Sequence, residues 1–328
     1  VFRDGSILGQ FERTPHGLIM VAVGSWEDCE KLLAAASLGD QAHEAAYESL
    51  GLRTADEIPG GDGEDELSEP LASGLGPAVD IRLLGGGLWP GEVVEVFGPA
   101  GSGKTQLGLT VAAHTAGRGH KVLFITNKDL PASLAQRLHG ILCASAACSD
   151  EPIEVEIALS RIRMAATRDF PDFAQAVLAF QDQLAKAGPD PPPVLVIDGL
   201  TGILAPFTSA QSWAHRWRLA WSWRSLRQIA TSARVLLLSH TAGAPSTALE
   251  LDPLAANAQL ALGQAWAAAA SVRLELAPLE VGRVALALRK SRRRSLLGGA
   301  EAPGSLLVPL LLDEAGVHAD SADVGLAA

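Results

Sequence analysis

Short apolar runs alternate with longer amphipathic stretches over most of this chain. The apolar runs predict seven strands, at Glu92–Phe97, Lys121–Thr126, Val194–Asp198, Val235–Ser239, Val272–Leu276, Val284–Leu288 and Leu306–Leu312. Helical periodicity between the earlier runs predicts helices over about 104–117, 131–146, 170–187 and 210–233. Such alternation indicates an α/β fold with a mostly parallel central sheet covered on both faces. The last strands follow one another after short connections, which predicts an antiparallel extension at one edge.

The N-terminal residues follow a different pattern. Residues 25–50 place Ala and Leu at helical spacing, which predicts two short helices broken near Gly39. The segment Pro59–Pro70 combines glycines, prolines and acidic residues, and it cannot bury enough apolar surface to order itself. We therefore predict a small helical N-terminal region, an acidic Gly/Pro linker and a core domain, at 1–58, 59–74 and 75–328 respectively.

Composition and charge narrow the class of protein. Hydrophobic residues make up 48% of the 328 positions and charged residues 19%, which excludes a mainly disordered chain. No apolar stretch approaches the roughly 18 residues of a membrane span, so we expect an intracellular protein without membrane contact. The net charge is −11, but residues 1–70 hold 15 acidic and 4 basic residues, so the whole excess lies there. The remainder is neutral and can carry local basic patches.

The strongest chemical signal is a G-x-x-x-x-G-K-T motif between a predicted strand and a predicted helix. Glycines let backbone N–H groups turn inward around a phosphate, and the helix N-terminus adds a positive dipole. Lys104 is placed to reach the β- and γ-phosphates, and the Thr105 hydroxyl to ligate Mg²⁺. The motif predicts ATP and Mg²⁺ as cofactors, bound by Gly98, Pro99, Ala100, Gly101, Ser102, Gly103, Lys104, Thr105 and Gln106.

A second signal is the carboxylate that ends the apolar strand Val194–Asp198. An aspartate at the tip of a buried strand beside such a loop can hold Mg²⁺ through water, so Asp198 is the Walker B candidate. The predicted catalytic set is Lys104, Thr105 and Asp198, of which the last two hold the metal. The sequence N-K-D at 127–129 lacks the spacing residue of the guanine-reading N-K-x-D motif, which disfavours a GTPase.

The order of these motifs resembles the RecA-like recombination ATPases, specifically the eukaryotic recombinase paralogues, with the D-type group nearest. The resemblance covers about residues 71–312 and includes KVLFITNKDLPASLAQRL at 121–138 and VLVIDGLTGILAP at 194–206. The motif A-L-G-x-x-W at 261–266 and K-S-R at 290–292 favour the D-type group.

This resemblance implies a RecA-like P-loop ATPase core and a role in homologous recombination and DNA repair. It assigns His240, at a strand tip, to sensing the γ-phosphate, although a strand-end histidine without a ligand is the alternative. A protein of this group would act in the nucleus with other recombinase paralogues. It would bind single-stranded or forked DNA and assist the main recombinase.

One departure from the active recombinases concerns the water-activating glutamate that follows their second strand. The corresponding stretch here is Thr126-Asn127-Lys128-Asp129, which contains no glutamate, although Asp129 could substitute. We therefore expect weak DNA-dependent ATP hydrolysis, with ATP acting as a switch. Two alternatives stay open: an active RecA-like DNA-dependent motor, and a nucleotide-locked scaffold without direct DNA binding.

A basic cluster near the C-terminus is the candidate DNA contact. Three interpretations stay open for it: contact with DNA phosphates, an arginine that reaches a nucleotide across a subunit boundary, and a solvated turn. Its members are Arg289, Lys290, Arg292, Arg293 and Arg294.

Overall fold

A computed structural model describes most of the predicted core and a short part of the N-terminal region. The described residues are 8–14, 17–24, 69–127, 131–148, 153–186, 191–204, 213–241, 266, 270–292 and 306–319. They belong to two compact units, one comprising Val1–Ser68 with Gln211–Arg224 and the other Glu69–Ala210 with Ser225–Ala328.

The first unit contains an antiparallel hairpin of β1 (Leu8–Thr14) and β2 (Gly17–Gly24). The hydrophobic pattern does not predict this hairpin. The two helices predicted within residues 25–50 lie outside the described residues.

The second unit contains a nine-stranded sheet among the residues described. Its strands are β3 (Val93–Gly98), β4 (Val122–Thr126), β5 (Ile162–Ala166), β6 (Val194–Asp198), β7 (Arg234–His240), β8 (Val272–Glu280), β9 (Arg283–Ser291), β10 (Leu307–Asp313) and β11 (Gly316–Ala319). Their spatial order is β11-β10-β9-β8-β3-β7-β6-β4-β5. The pairs from β8 through β3 to β5 are parallel, and those from β8 to β11 are antiparallel. The predicted α/β fold, with a mostly parallel sheet and an antiparallel edge extension, is confirmed.

The helices are α1 (Pro77–Arg82), α2 (Lys104–Gly117), α3 (Pro131–Cys148), α4 (Val155–Ser160), α5 (Phe170–Lys186), α6 (Leu200–Leu204) and α7 (Trp213–Ala230). The four predicted helices correspond to α2, α3, α5 and α7. The pattern does not predict α1, α4 and α6, which are five or six residues long, nor the edge strands β5 and β11. Each of these elements is four to six residues long, which is too short to show a clear period of hydrophobic residues. No helix in the described ranges combines the length and apolar character that crossing a membrane requires.

Helix α2 lies very close to the central strands. Every residue of β3 and of β6 is buried, as expected for parallel strands covered on both faces. Gly108 permits the close approach, because a Cβ there would lie 2.6 Å from Leu238 Cδ1 and 3.3 Å from Val196 Cγ1. The N-terminus of α2 is thereby held against the carboxyl ends of the strands.

The last residues of the predicted linker are attached to the core unit. Leu71 forms an isolated antiparallel bridge with Leu88. The Arg234 guanidinium, which is 4% exposed, donates to the carbonyl oxygen of Glu69 at 2.9 Å and to that of Leu88 at 3.3 Å. The bridge from Leu71 and the Arg234 hydrogen bond to Glu69 therefore attach residues 69–71 to the core unit.

Candidate nucleotide-binding site

The loop between β3 and α2 has the conformation that its glycines allow. Gly101 has φ 77° and Gly103 has φ 92°, both in the left-handed region that side chains disfavour. A Cβ on Gly98 would collide with the carbonyl oxygen of Leu276 on the neighbouring strand β8. Glycine is thus needed at 101 and 103 for backbone conformation, and at 98 for close approach.

Lys104 is buried at the first turn of α2, with 3% of its surface exposed. Its Nζ donates to the Gly98 carbonyl at 3.0 Å, the Pro99 carbonyl at 2.5 Å and the Ser102 hydroxyl at 3.1 Å. All three acceptors are neutral, so a negatively charged phosphate oxygen can compete with them for the ammonium.

Thr105 and Asp198 meet at the carboxyl edge of the sheet. The Thr105 hydroxyl donates to Asp198 Oδ2 at 2.6 Å, and Asp198 is 1% exposed at the end of β6. A hydroxyl and a carboxylate are hard oxygen ligands of the kind that Mg²⁺ prefers. The donor set therefore fits the magnesium ion that the motif implies, and the glycine loop beside it fits a phosphate.

His240 ends β7 next to the glycine loop. It lies opposite Gly98 in the β3–β7 register, and its backbone N–H donates to the Thr201 hydroxyl at 2.9 Å. The Thr241 N–H donates to the Gly98 carbonyl at 3.2 Å. The structure thus places the predicted sensor residue beside the loop.

The glycine loop opens on a cavity of about 870 Å³. Besides loop residues and His240, the cavity is lined by two elements to which the sequence analysis gave no site role: one face of α3, and the end of β10 with the turn before β11. The α3 residues lie within about one helical turn of each other, so helical spacing could have indicated that they share a face. The additional lining residues are Gln136, Arg137, Gly140, Leu312, Asp313 and Glu314.

Gln106 connects these two elements to the loop. Its Oε1 accepts a 2.6 Å hydrogen bond from Arg137 Nη2, and its Nε2 donates to the Asp313 carbonyl at 3.2 Å. One turn later, the Thr110 hydroxyl accepts the Val317 N–H at 3.0 Å. Helix α2 therefore fixes both walls of the cavity as well as the loop.

The stretch expected to activate water is described only in part. Thr126 lies opposite Asp198 in the β4–β6 register, and the Asn127 N–H donates to the Asp198 carbonyl at 3.3 Å. Lys128 and Asp129 lie outside the described residues, so the substitution of Asp129 for the glutamate stays a prediction.

Arg289 and Lys290 of the basic cluster lie on β9 and Arg292 follows it, apart from the described lining of the cavity. Arg289 is 8% exposed in its side chain and forms an ion pair with Glu275 on β8, with Nη2 2.5 Å from Oε2. Lys290 is half-buried and Arg292 is exposed, while residues 293 and 294 lie outside the described part. Their contact with DNA or with a neighbouring nucleotide stays a prediction.

Comparisons with known proteins agree with this architecture. A family model described as "AAA domain" matches residues 72–245. The DNA repair protein RAD51 homolog 4 of Bos taurus is 33% identical over 219 residues, which cover 63% of this chain and 60% of that protein. The DNA repair and recombination protein RadB of Halobacterium salinarum is 33% identical over 139 residues, covering 42% of this chain and 51% of that protein. The matched region thus spans less than two thirds of either relative.

A solved structure gives the same result for the fold. The crystal structure of the RadB recombinase matches with a TM-score of 0.55 at 20% identity, covering 75% of this chain and 97% of that one. The resemblance to RecA-like recombinase paralogues and the RecA-like core are both confirmed.

Proposed function

We propose that this chain, which belongs to the AAA domain family, is an ATP-binding protein of homologous recombination and DNA repair. The observation that carries the proposal is the contact between Thr105 and Asp198, 2.6 Å apart, at the first turn of the helix that begins with Lys104. Similarity to proteins named for DNA repair and recombination supports the pathway.

The proposed nucleotide roles follow from the groups that surround the glycine loop. Lys104 exchanges its neutral acceptors for β- and γ-phosphate oxygens, and the backbone around Gly101 and Gly103 turns N–H groups toward them. Thr105 and Asp198 hold Mg²⁺, which when bound neutralises phosphate charge. His240 senses the terminal phosphate at the tip of β7.

Weak hydrolysis is part of the proposal. Efficient turnover needs a carboxylate that accepts a proton from the attacking water, and the sequence 126–129 offers no glutamate for that task. Bound ATP then acts as a switch that holds the loop, α3 and the β10–β11 turn together.

The cellular role is proposed from the relatives. This chain acts in the nucleus with other recombinase paralogues, on single-stranded or forked DNA, to assist the main recombinase. Basic residues of β9 contact the DNA phosphates in this proposal, so DNA binding weakens as salt rises.

The test is ATP binding and steady-state turnover of the full chain, with and without single-stranded DNA, beside Lys104→Ala. We expect ATP affinity to fall roughly 100-fold or more in the variant, because charge-assisted hydrogen bonds contribute about 1.5–3 kcal/mol each. Lys186→Ala is the matched control, since Lys186 is exposed at the end of α5 and should bind ATP normally.

Three results would contradict the proposal in different ways. Unchanged ATP binding in Lys104→Ala would show that the glycine loop is not the nucleotide site. Brisk DNA-stimulated turnover that requires Lys104 would make the chain a motor. Normal ATP binding with no DNA retention at low salt, and with paralogue binding intact, would make it a scaffold.

A further inference from the structure

One glutamine joins both walls of the nucleotide cavity. Gln106 lies in the first turn of α2, directly after Thr105, and is 9% exposed. Its Nε2 donates to the Asp313 carbonyl oxygen at the end of β10, and its Oε1 accepts from Arg137 Nη2 on α3. The two ends of this amide therefore bond to two different walls.

The chemistry of the two partners fixes the direction of the Gln106 amide. A backbone carbonyl only accepts hydrogen bonds and a guanidinium only donates them. The amide nitrogen therefore has to face Asp313, and the amide oxygen has to face Arg137. The opposite orientation would set donor against donor and acceptor against acceptor, so this side chain has one orientation that satisfies both partners.

The end of β10 is firmly packed, which makes it an anchor for Gln106. A Cβ on Gly103 would collide with Leu312 Cδ1, so this part of β10 lies directly on the glycine loop. In the turn that follows, the Asp313 carboxylate accepts the Ala315 N–H at 2.8 Å. Gln106 is thus fixed from the β10 side and presents its oxygen to α3.

Arg137 lies on the exposed surface of α3 and lines the cavity. An exposed arginine side chain samples many rotamers, and ordering it when a ligand binds opposes affinity. The 2.6 Å hydrogen bond to Gln106 orders the guanidinium in advance. Because Gln106 is neutral, this bond does not neutralise the positive charge. Gln106 therefore preorganises a cation at the edge of the cavity.

The cavity has two chemically different ends. One end is the glycine loop, whose backbone N–H groups and Lys104 suit phosphates. The other end is formed by α3 and by Asp313 and Glu314, whose negative charges disfavour a phosphate there. Carboxylates accept hydrogen bonds from amino and hydroxyl groups, which a nucleoside carries. The second end therefore suits the base and ribose.

We propose that Gln106 is a positioning residue that holds Arg137 against the nucleoside part of the nucleotide, and that Arg137 contributes to recognition of that part. A guanidinium can stack on a base and can donate to its ring nitrogens or to ribose oxygens. The inference rests on the proposed ATP site at the glycine loop. It adds a contact that the glycine motif does not encode, and it assigns the phosphates and the nucleoside to different groups of the protein.

The test compares the affinity of the full chain for ATP and for inorganic tripolyphosphate, which carries the phosphates without the nucleoside. The ratio of the two affinities isolates the contribution of the nucleoside. In Arg137→Ala this ratio should fall at least roughly tenfold, while the tripolyphosphate affinity changes by less than about twofold. Arg163→Ala is the matched control, because it removes one exposed arginine of β5 outside the described cavity lining and should keep the unmodified ratio.

Two substitutions at Gln106 separate positioning from a general effect on the loop. Gln106→Leu removes both hydrogen bonds and should lower the ratio about as much as Arg137→Ala does. Gln106→Glu keeps an oxygen acceptor for Arg137 and should recover most of the ratio, even where its charge weakens the binding of both ligands. Gln106→Leu/Arg137→Ala should lower the ratio no further than Arg137→Ala alone, because Gln106 acts through Arg137.

Gly140 allows a test that leaves these hydrogen bonds in place. It is exposed on α3 and lines the cavity, and a Cβ there would meet no described atom within 4 Å. Gly140→Phe should therefore fold normally and place a ring in the nucleoside end, which lowers ATP affinity more than tripolyphosphate affinity. Ala135→Phe adds the same ring at an exposed position of α3 outside the described lining, and it should bind both ligands like the unmodified chain.

Failure of this inference and failure of the ATP site give different results. If Lys104→Ala weakens both ligands but Arg137→Ala and Gly140→Phe leave the ratio unchanged, the nucleoside lies elsewhere and the inference is wrong. If Arg137→Ala lowers the ratio and Gln106→Leu does not, the positioning role of Gln106 is wrong. If Lys104→Ala changes neither affinity, the glycine loop is not the nucleotide site, and both proposals are wrong.

Discussion

Two buried cations on neighbouring elements, Lys104 and Arg273, have different surroundings. Lys104 is 3% exposed and donates to two carbonyls and a hydroxyl, all of them neutral. Arg273 is 4% exposed and is paired with the Glu95 carboxylate. Neutral acceptors can be exchanged for a charged ligand, whereas a carboxylate partner holds its cation in place. Burial alone therefore does not separate a ligand-binding cation from a structural one.

The largest expected effect comes from breaking the pair of Glu95 and Arg273. Glu95→Leu leaves the Arg273 charge buried without its carboxylate and should destabilise the chain by about 3–5 kcal/mol. The double variant Glu95→Leu/Arg273→Leu should recover most of that loss, because no uncompensated charge remains. Urea denaturation measures both.

Lys104→Ala is the comparison for these variants, and it should change ATP binding far more than the free energy of unfolding. If Glu95→Leu lowered the free energy of unfolding by less than about 1 kcal/mol, the buried charge of Arg273 would not need Glu95 as a partner. The proposed difference between Arg273 and Lys104 would then be wrong.

A smaller effect concerns His114 on α2, a half-buried histidine without a carboxylate partner in the contacts described. Burial, and next the charge of Arg118, lower the pKa of His114 from 6.5 to about 4. The unfolded chain therefore takes up this proton below pH 6.5 while the folded chain resists it, so stability falls as pH falls from 6.5 toward 4. Between pH 7 and pH 5 this residue should account for about 2 kcal/mol of the loss.

The measurement is the free energy of unfolding of the unmodified chain and of His114→Gln at both pH values. Other groups titrate in both chains and cancel in the difference. Equal pH dependence in the two chains would show that folding does not lower the pKa of His114.

The smallest effect is expected at the exposed pair of Arg283 and Glu280, whose atoms are 2.8 Å apart with side chains 36% and 63% exposed. Arg283→Gln should change stability by about 0.2–1 kcal/mol, and less at high salt, because solvent screens the pair. Denaturation at low and high salt checks this result. If Arg283→Gln lowered the free energy of unfolding as much as Glu95→Leu does, burial would not determine how much an ion pair contributes to stability.

The glycine motif could be predicted from the sequence because its parts are contiguous. Strand, loop and helix lie within residues 93–117, and local backbone preferences decide their order. Asp198 is 93 residues from Thr105, yet it could also be named, because an apolar run ending in a carboxylate is itself a local pattern.

The walls of the cavity could not be predicted in the same way. Gln106 is 31 residues from Arg137 and 207 from Asp313, and no motif links these positions. Gln106 contacts Arg137 and Asp313 only because α3 and the end of β10 pack against α2 in the folded chain.

The contacts of the basic cluster could not be predicted from the sequence either. In the sequence its members are five bases within six positions, which leaves three interpretations open. The sequence does not show that Arg289 pairs with Glu275 or that Lys290 lies opposite Arg273, because strand pairing and register decide both.

The sequence alone determined the class of fold, the glycine loop with Lys104 and Thr105, and the strand that presents Asp198, because each is encoded by neighbouring residues. Tertiary structure alone decided that Glu95 would meet Arg273, 178 positions away, and that both would be buried there. The physical reason is that sheet order and register bring distant side chains to one face, and neither is encoded in local hydrophobic periodicity.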